Sequence, residues 1–263
     1  MSLFKGASAI VDLARGLKAH DFFFAYRPRL RIRERKLCGF ELTVQRQRPL
    51  DSNRDCASLS DAVAESAASD NFTDLILETA GRHLSHWKQE GRTGLTLSVN
   101  IPTSELVQAD LPGKLKSLVV AHKLNPRRLQ ITLTETPLAS SVDELADATE
   151  LVQAMGVGIA LHGFGPRQNS LALLHQLALD TLRIDRCYMS NVPEDPESGI
   201  ILETCIKLGH RLGKRVVLDG IETDAQFTWV HEIHEDIDCQ GSHISEALQA
   251  PLLEALISLR RYT

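Results

Sequence analysis

Seven short apolar runs in this chain end in side chains that can carry chemistry. Glu41, Asn100, Glu135, His162, Arg183 with Asp185, Asp219 with Glu222, and Gln240 each stand at or just past the carboxyl end of such a run. Carboxylates brought together with an amide repel one another unless a cation lies among them. An oxygen-rich set of this kind suits magnesium, manganese or calcium. A polar residue ends any one strand because loops are wet. The same choice on successive strands points to a shared face. The stretch "GIALHGFGPRQNSL" (158–171) breaks the pattern, offering His162 and Gly163 where an acid is expected.

The elements that must position these residues alternate after residue 90. "LTLSVN", "LQITLTE", "VGIALHG", "TLRIDR", "RVVLDGIE" and "IDCQGS" are strand-like, and stretches of helical periodicity lie between them, among them "DELADATELVQAMG" and "GIILETCIKLGHRLGK", with "APLLEALISLRRY" after the last. Ser141 with Glu144, and Thr223 with Gln226, have the spacing of capping boxes. Gly156 and Gly213 sit where helices should stop. Upstream, "FFFAYRPRLRI" and "KLCGFELTVQR" flank "RERK" as a strand pair, and a long helix, "NFTDLILETAGRHLSHWKQEG", follows. Alternating β and α with short links implies a parallel sheet covered by helices. About eight strands in 263 residues predict one (β/α)8 barrel, with an open doubly wound sheet as the alternative. Residues 1–20 are expected to form a helical lead-in and 21–263 the barrel.

A formal charge of −5, from 29 basic and 34 acidic residues, argues against a nucleic-acid-binding surface. Five cysteines (38, 56, 187, 205, 239) form no C-x-x-C pair, which suits reduced thiols. No apolar stretch is long enough to span a membrane. A soluble cytoplasmic protein with no membrane partner is expected.

Seven motifs occur in an order that is specific as a set: "YRPRLRIRERKLCGFELTVQR", "LSVNIP", "LTETPL", "GIALHGFGPRQNSL", "DTLRIDR", "VVLDGIET" and "CQGSHISEAL". With this order and spacing the chain resembles the bacterial EAL domain over roughly residues 20 to 255. The resemblance implies a (β/α)8 TIM-like barrel with one antiparallel strand. It also implies hydrolysis of cyclic di-GMP to linear pGpG by two divalent cations that activate a water.

By the same resemblance the metal ligands fall on Glu41, Asn100, Glu135, Asp219 and Glu222, and the final Gln on Gln240. The triplet at Glu41 reads Glu-Leu-Thr rather than Glu-Ala-Leu. The family's paired aspartates fall on His162 and Gly163, so two metal positions are lost. Its Lys falls on Arg183, which keeps the charge but releases no proton near neutral pH. Arg183, Asp185 and Gln240 are then vestiges of the catalytic set. Around the ligand, Arg27, Gln45, Arg46 and Arg167 are the remaining candidates for binding, and Ser242 replaces an aromatic. Pro166 stiffens the loop that follows Gly163.

These losses predict a catalytically inactive regulatory protein that needs no cofactor and acts through a protein partner in control of motility, biofilm or transcription. Two alternatives stand beside it. One is a receptor that binds cyclic di-GMP without cleaving it, with Arg27, Arg46, Arg167 and Arg183 supplying charge to the phosphates. The other is a weak phosphodiesterase retaining residual Mg or Mn. Homodimerisation stays open.

Overall fold

Strict alternation of residue type along the strands decides which side chains face which layer. In "TLSVNI" (96–101), period-two geometry sends Leu97, Val99 and Ile101 to one face and Thr96, Ser98 and Asn100 to the other. A computed structural model of the chain describes residues 22–46, 69–108, 110–134, 142–166, 170–233 and 236–259. The predicted 1–20 lead-in and the capping residue Ser141 lie outside those residues.

The strands are β1 (Phe22–Arg31), β2 (Lys36–Arg46), β3 (Thr96–Pro102), β4 (Leu129–Thr134), β5 (Gly158–Phe164), β6 (Thr181–Ile184), β7 (Arg215–Asp219) and β8 (Ile237–Gln240). They close into a barrel in sequence order. β1 runs antiparallel to both β2 and β8, and every other neighbouring pair is parallel. The barrel with one antiparallel strand is therefore observed, and the open sheet is excluded. The helices are α1 (Ser69–Gln89), α2 (Thr103–Gln108), α3 (Leu111–Ala121), α4 (Val142–Ala154), α5 (Ser170–Gln176), α6 (Arg186–Met189), α7 (Pro196–Arg211), α8 (Asp224–Glu232) and α9 (Ala250–Leu259).

The apolar core lies between barrel and helices. Leu97, Val99, Ile101, Leu129, Ile131, Leu133, Ile159 and Leu161 are buried against helical residues such as Leu115, Leu145 and Val152. Each such aliphatic side chain contributes about 1.5–3 kcal/mol by leaving water. α7 shows how a helix is seated. Asp195 caps it through the N–H groups of Glu197 and Ser198, and Pro196 occupies its first turn. Gly199, Leu202, Ile206 and Gly209 form its buried stripe. A Cβ at Gly209 would lie 2.6 Å from Val216, so only glycine lets α7 approach β7 this closely. The Thr223–Gln226 capping box is present on α8, and Gly156 and Gly213 end α4 and α7 with positive φ.

The lumen is unlike the branched apolar layers common in such barrels. Arg29, Ser98, Gln130, Thr132, Thr181 and Arg183 are all buried. Arg29 donates to Gln130 Oε1, and Gln130 donates to Thr181 Oγ1 across the interior. Polar groups thus line the barrel interior, some bonded to one another, and the strands' apolar faces are left to the helices. No described helix is long and apolar enough to cross a membrane.

Candidate functional site

Parallel strands β2 to β8 deliver their carboxyl ends to one mouth, and at its centre is Arg183 of β6. Its Nη1 donates to Glu41 Oε1 at 2.9 Å and its Nη2 to Glu41 Oε2 at 3.2 Å. Nη2 also donates to Asp219 Oδ1 at 3.0 Å, and Nε to Asp219 Oδ2 at 3.2 Å. The planar fork of a guanidinium matches two carboxylates in this way, and the point charge of an ammonium does not. Asn100 Nδ2 gives Glu41 Oε1 a further bond at 2.9 Å, and Gln240 Nε2 gives Oε2 one at 2.6 Å. Glu41 is the hub, receiving four donors from three strands.

Burial alone would raise the Glu41 carboxyl, but the Arg183 charge and its hydrogen bonds outweigh it and hold the group below the usual carboxylate range. Burial would lower the Arg183 guanidinium, and Asp219 and Glu41 instead hold it above its ordinary value. Both groups are charged, with side-chain exposures of only 1% and 4%.

β5 contributes little to this cluster. His162 Nδ1 lies 3.6 Å from Asp219 Oδ2, and that nitrogen is buried without a hydrogen-bond partner among the described residues. Burial first, and then the Arg183 charge, push its imidazole below the usual histidine range, against the pull of Asp219 and Glu41. A neutral ring follows. Gly163 has no side chain, and its φ of 73° is in the left-handed region that disfavours residues with a Cβ.

Other expected site residues are placed differently. Asp185 accepts the N–H of Cys187 and caps α6, so its carboxylate serves a helix end rather than the cluster. Glu222 is exposed, and its backbone N–H donates to Gln226 Oε1. Arg27 is half-buried and opposite Glu41 in the β1–β2 register, and its charge helps to keep Glu41 ionised. Gln45 is half-buried near the end of β2, opposite Phe23. Arg46 ends β2, with its side chain outside the described residues. Glu135 and Arg167 also lie outside them.

The divalent cations implied by the resemblance do not fit this donor set. Every oxygen of Glu41 and Asp219 already accepts from Arg183. A carboxylate offers about four lone-pair sites, and on Glu41 all four are taken by Arg183, Asn100 and Gln240. A metal at Asp219 would face the guanidinium charge at close range and be repelled by it. The same geometry corrects the expectation that Arg183 offers charge to phosphates, because four of its N–H···O contacts are committed to carboxylates within the chain.

The description "EAL domain" matches residues 10–247 as a family. The chain belongs to the EAL domain family. Among relatives, it is 24% identical over 215 residues to the bifunctional diguanylate cyclase/cyclic di-GMP phosphodiesterase MucR of Pseudomonas aeruginosa, covering 82% of this chain and 31% of that protein. It is 25% identical over 251 residues to the cyclic di-GMP phosphodiesterase NbdA of the same organism, covering 95% of this chain and 32% of that one. The chain thus spans about a third of the length of these relatives. The solved MucR phosphodiesterase in complex with cyclic di-GMP superposes with a TM-score of 0.79 at 23% identity, over 89% of this chain and 94% of that one. At this identity the superposition speaks to the fold.

Within the EAL barrel, one interaction went unread in the sequence. Arg183 keeps the charge of the family's lysine without its proton chemistry. The number of its donors was the overlooked signal, since five N–H groups in a fork can engage two carboxylates at once.

Proposed function

We propose that this EAL barrel does not hydrolyse cyclic di-GMP and acts in the cytoplasm as a regulatory protein, through a bound protein partner and without a metal cofactor. The observation that carries the reading is the end of β5. Two-metal hydrolysis needs oxygen ligands that hold both cations about the attacking water. At β5 this chain offers a neutral imidazole and a glycine whose φ of 73° strains any substituted acid. With no anionic donor there, a second cation and the water it would activate have no seat.

A second reading, a receptor that binds cyclic di-GMP without cleaving it, draws on Arg27 at the barrel mouth and on the solved MucR domain, whose complex contains that ligand. One experiment separates the readings. Purified protein is incubated with cyclic di-GMP and either magnesium or manganese, and binding is titrated calorimetrically with and without chelator. The partner-binding protein gives neither pGpG nor binding heat. The receptor gives heat that persists in chelator. Formation of pGpG that Glu41→Ala abolishes would overturn the proposal.

A further inference from the structure

We infer that the Arg183 guanidinium is the resident cation of this barrel mouth, and that removing it opens a divalent-metal site that the native chain keeps closed. The inference rests on the non-hydrolysing reading above and deepens it by naming what organises the acidic residues instead of metal.

Two buried carboxylates on different strands need a positive charge between them, because each has lost its water and they repel each other. Arg183 supplies that charge from inside the chain, with bonds of 2.9–3.2 Å to all four oxygens. Two neutral amides complete the shell, Asn100 and Gln240, both donating to Glu41. The shell is built on five interlocked side chains from β2, β3, β6, β7 and β8.

A separate feature belongs to the same cluster, on the residue that donates to Glu41 from β3. Asn100 Oδ1 is buried with no hydrogen-bond partner among the described residues. A buried acceptor without a donor is a costly arrangement and a ready ligand for a cation. Once the guanidinium is gone, the carboxylates of Glu41 and Asp219 and the amide oxygen of Asn100 form a hard, anionic oxygen set. Manganese and magnesium prefer such ligands. Gln240 can add its own amide oxygen by a half-turn of its terminal amide.

The test compares the native protein, Arg183→Ala and Arg183→Lys. Manganese binding is read from loss of the free-ion electron paramagnetic resonance signal, and stability from the thermal midpoint in manganese and in chelator. The native protein should bind no manganese at the mouth, and its midpoint should be the same in both conditions. Arg183→Ala should take up one ion with affinity raised at least about tenfold, and millimolar manganese should lift its midpoint by several degrees. The added substitution Glu41→Gln should remove both effects. Should Arg183→Ala fail to fold without metal, Arg183→Lys carries the test. Its ammonium cannot span four oxygens, and it should bind manganese more tightly than the native chain.

Uptake of one ion by the native protein, lost in Glu41→Gln, would overturn the inference. So would variants that bind no more tightly than the native chain. Native manganese uptake without pGpG overturns this inference and the metal-free clause of the proposed function but leaves its non-hydrolysing core standing, whereas pGpG formation overturns that core.

Discussion

Replacing Arg183 by methionine keeps the length of the buried stem and removes the fork and its charge. Four hydrogen bonds are lost, and Glu41 and Asp219 are left facing each other. A unit pair about 4 Å apart at an effective dielectric near 20 attracts by about 4 kcal/mol, and here one cation serves two anions. Breaking a buried pair from one side costs about 3–5 kcal/mol, because the abandoned charge stays dehydrated. At about 2–4 °C per kcal/mol for a domain of this size, the midpoint should fall by about 10 °C near neutral pH. Acid should narrow the gap. In the native chain Glu41 titrates below its ordinary value of 4.5, so its contribution is complete above that pH and is lost as pH falls through the depressed value. In Arg183→Met burial acts without the opposing charge and raises the Glu41 carboxyl. Stability from the protonated form is then present at low pH and lost as pH rises. Urea denaturation at about pH 7 and about pH 5 measures both effects. A destabilisation under about 1 kcal/mol at neutral pH, or a gap that does not shrink in acid, would refute the account of Arg183 as charge clamp.

Other consequences follow from the same structure. Tyr26 Oη and His83 Nε2 are 2.5 Å apart, and burial, with smaller effects from nearby charges, lowers the His83 imidazole from 6.5 to about 4. The unfolded chain therefore binds a proton first as pH falls below 6.5, and up to about 3 kcal/mol of stability should be lost between there and pH 4. His83→Gln, which cannot titrate, should flatten that part of the pH–stability profile. Thr223→Ala removes the side-chain acceptor for the Gln226 N–H and should cost about 1 kcal/mol in chemical denaturation. Gly209→Ala drives a methyl into Val216 and should cost about 1–3 kcal/mol, with no change in any ligand titration.

The barrel was legible because alternation and strand ends are local signals. "LTLSVN" or "RVVLDGIE" announces a strand and its outward-facing tip without reference to the rest of the chain. Helix ends were legible for the same reason, as at Thr223 with Gln226 and at Gly213. Asp185 carries the signal of a cap, a short acid just before "RCYM", which the resemblance overshadows by making it a vestige of the catalytic set. The clamp was hidden because it is nonlocal. Arg183 and Glu41 are 142 positions apart, and whether a guanidinium turns toward a ligand or toward its own carboxylates depends on the closure of the barrel. The polar lumen was hidden likewise, since the Arg29–Gln130–Thr181 chain exists only once three distant strands share an interior.

The departures from the family pattern also make sense together as charge balance. Glu41 and Asp219 carry two negative charges, against one on Arg183 and a second on Arg27 opposite Glu41. With aspartates at positions 162 and 163 the same mouth would hold four acids, more than one buried guanidinium and its neighbour can offset. Histidine and glycine there bring the sum to a level an internal cation can hold. Restoring both acids while Arg183 stays should therefore destabilise the barrel near neutral pH, beyond the strain of a Cβ at Gly163. Stability should return in part as pH falls and the added carboxyls take up protons. Adding Arg183→Lys to that pair should make the remaining stability rise with manganese. If His162→Asp with Gly163→Asp is instead neutral at pH 7 by denaturant titration, the three substitutions are independent of one another and the charge-balance argument fails.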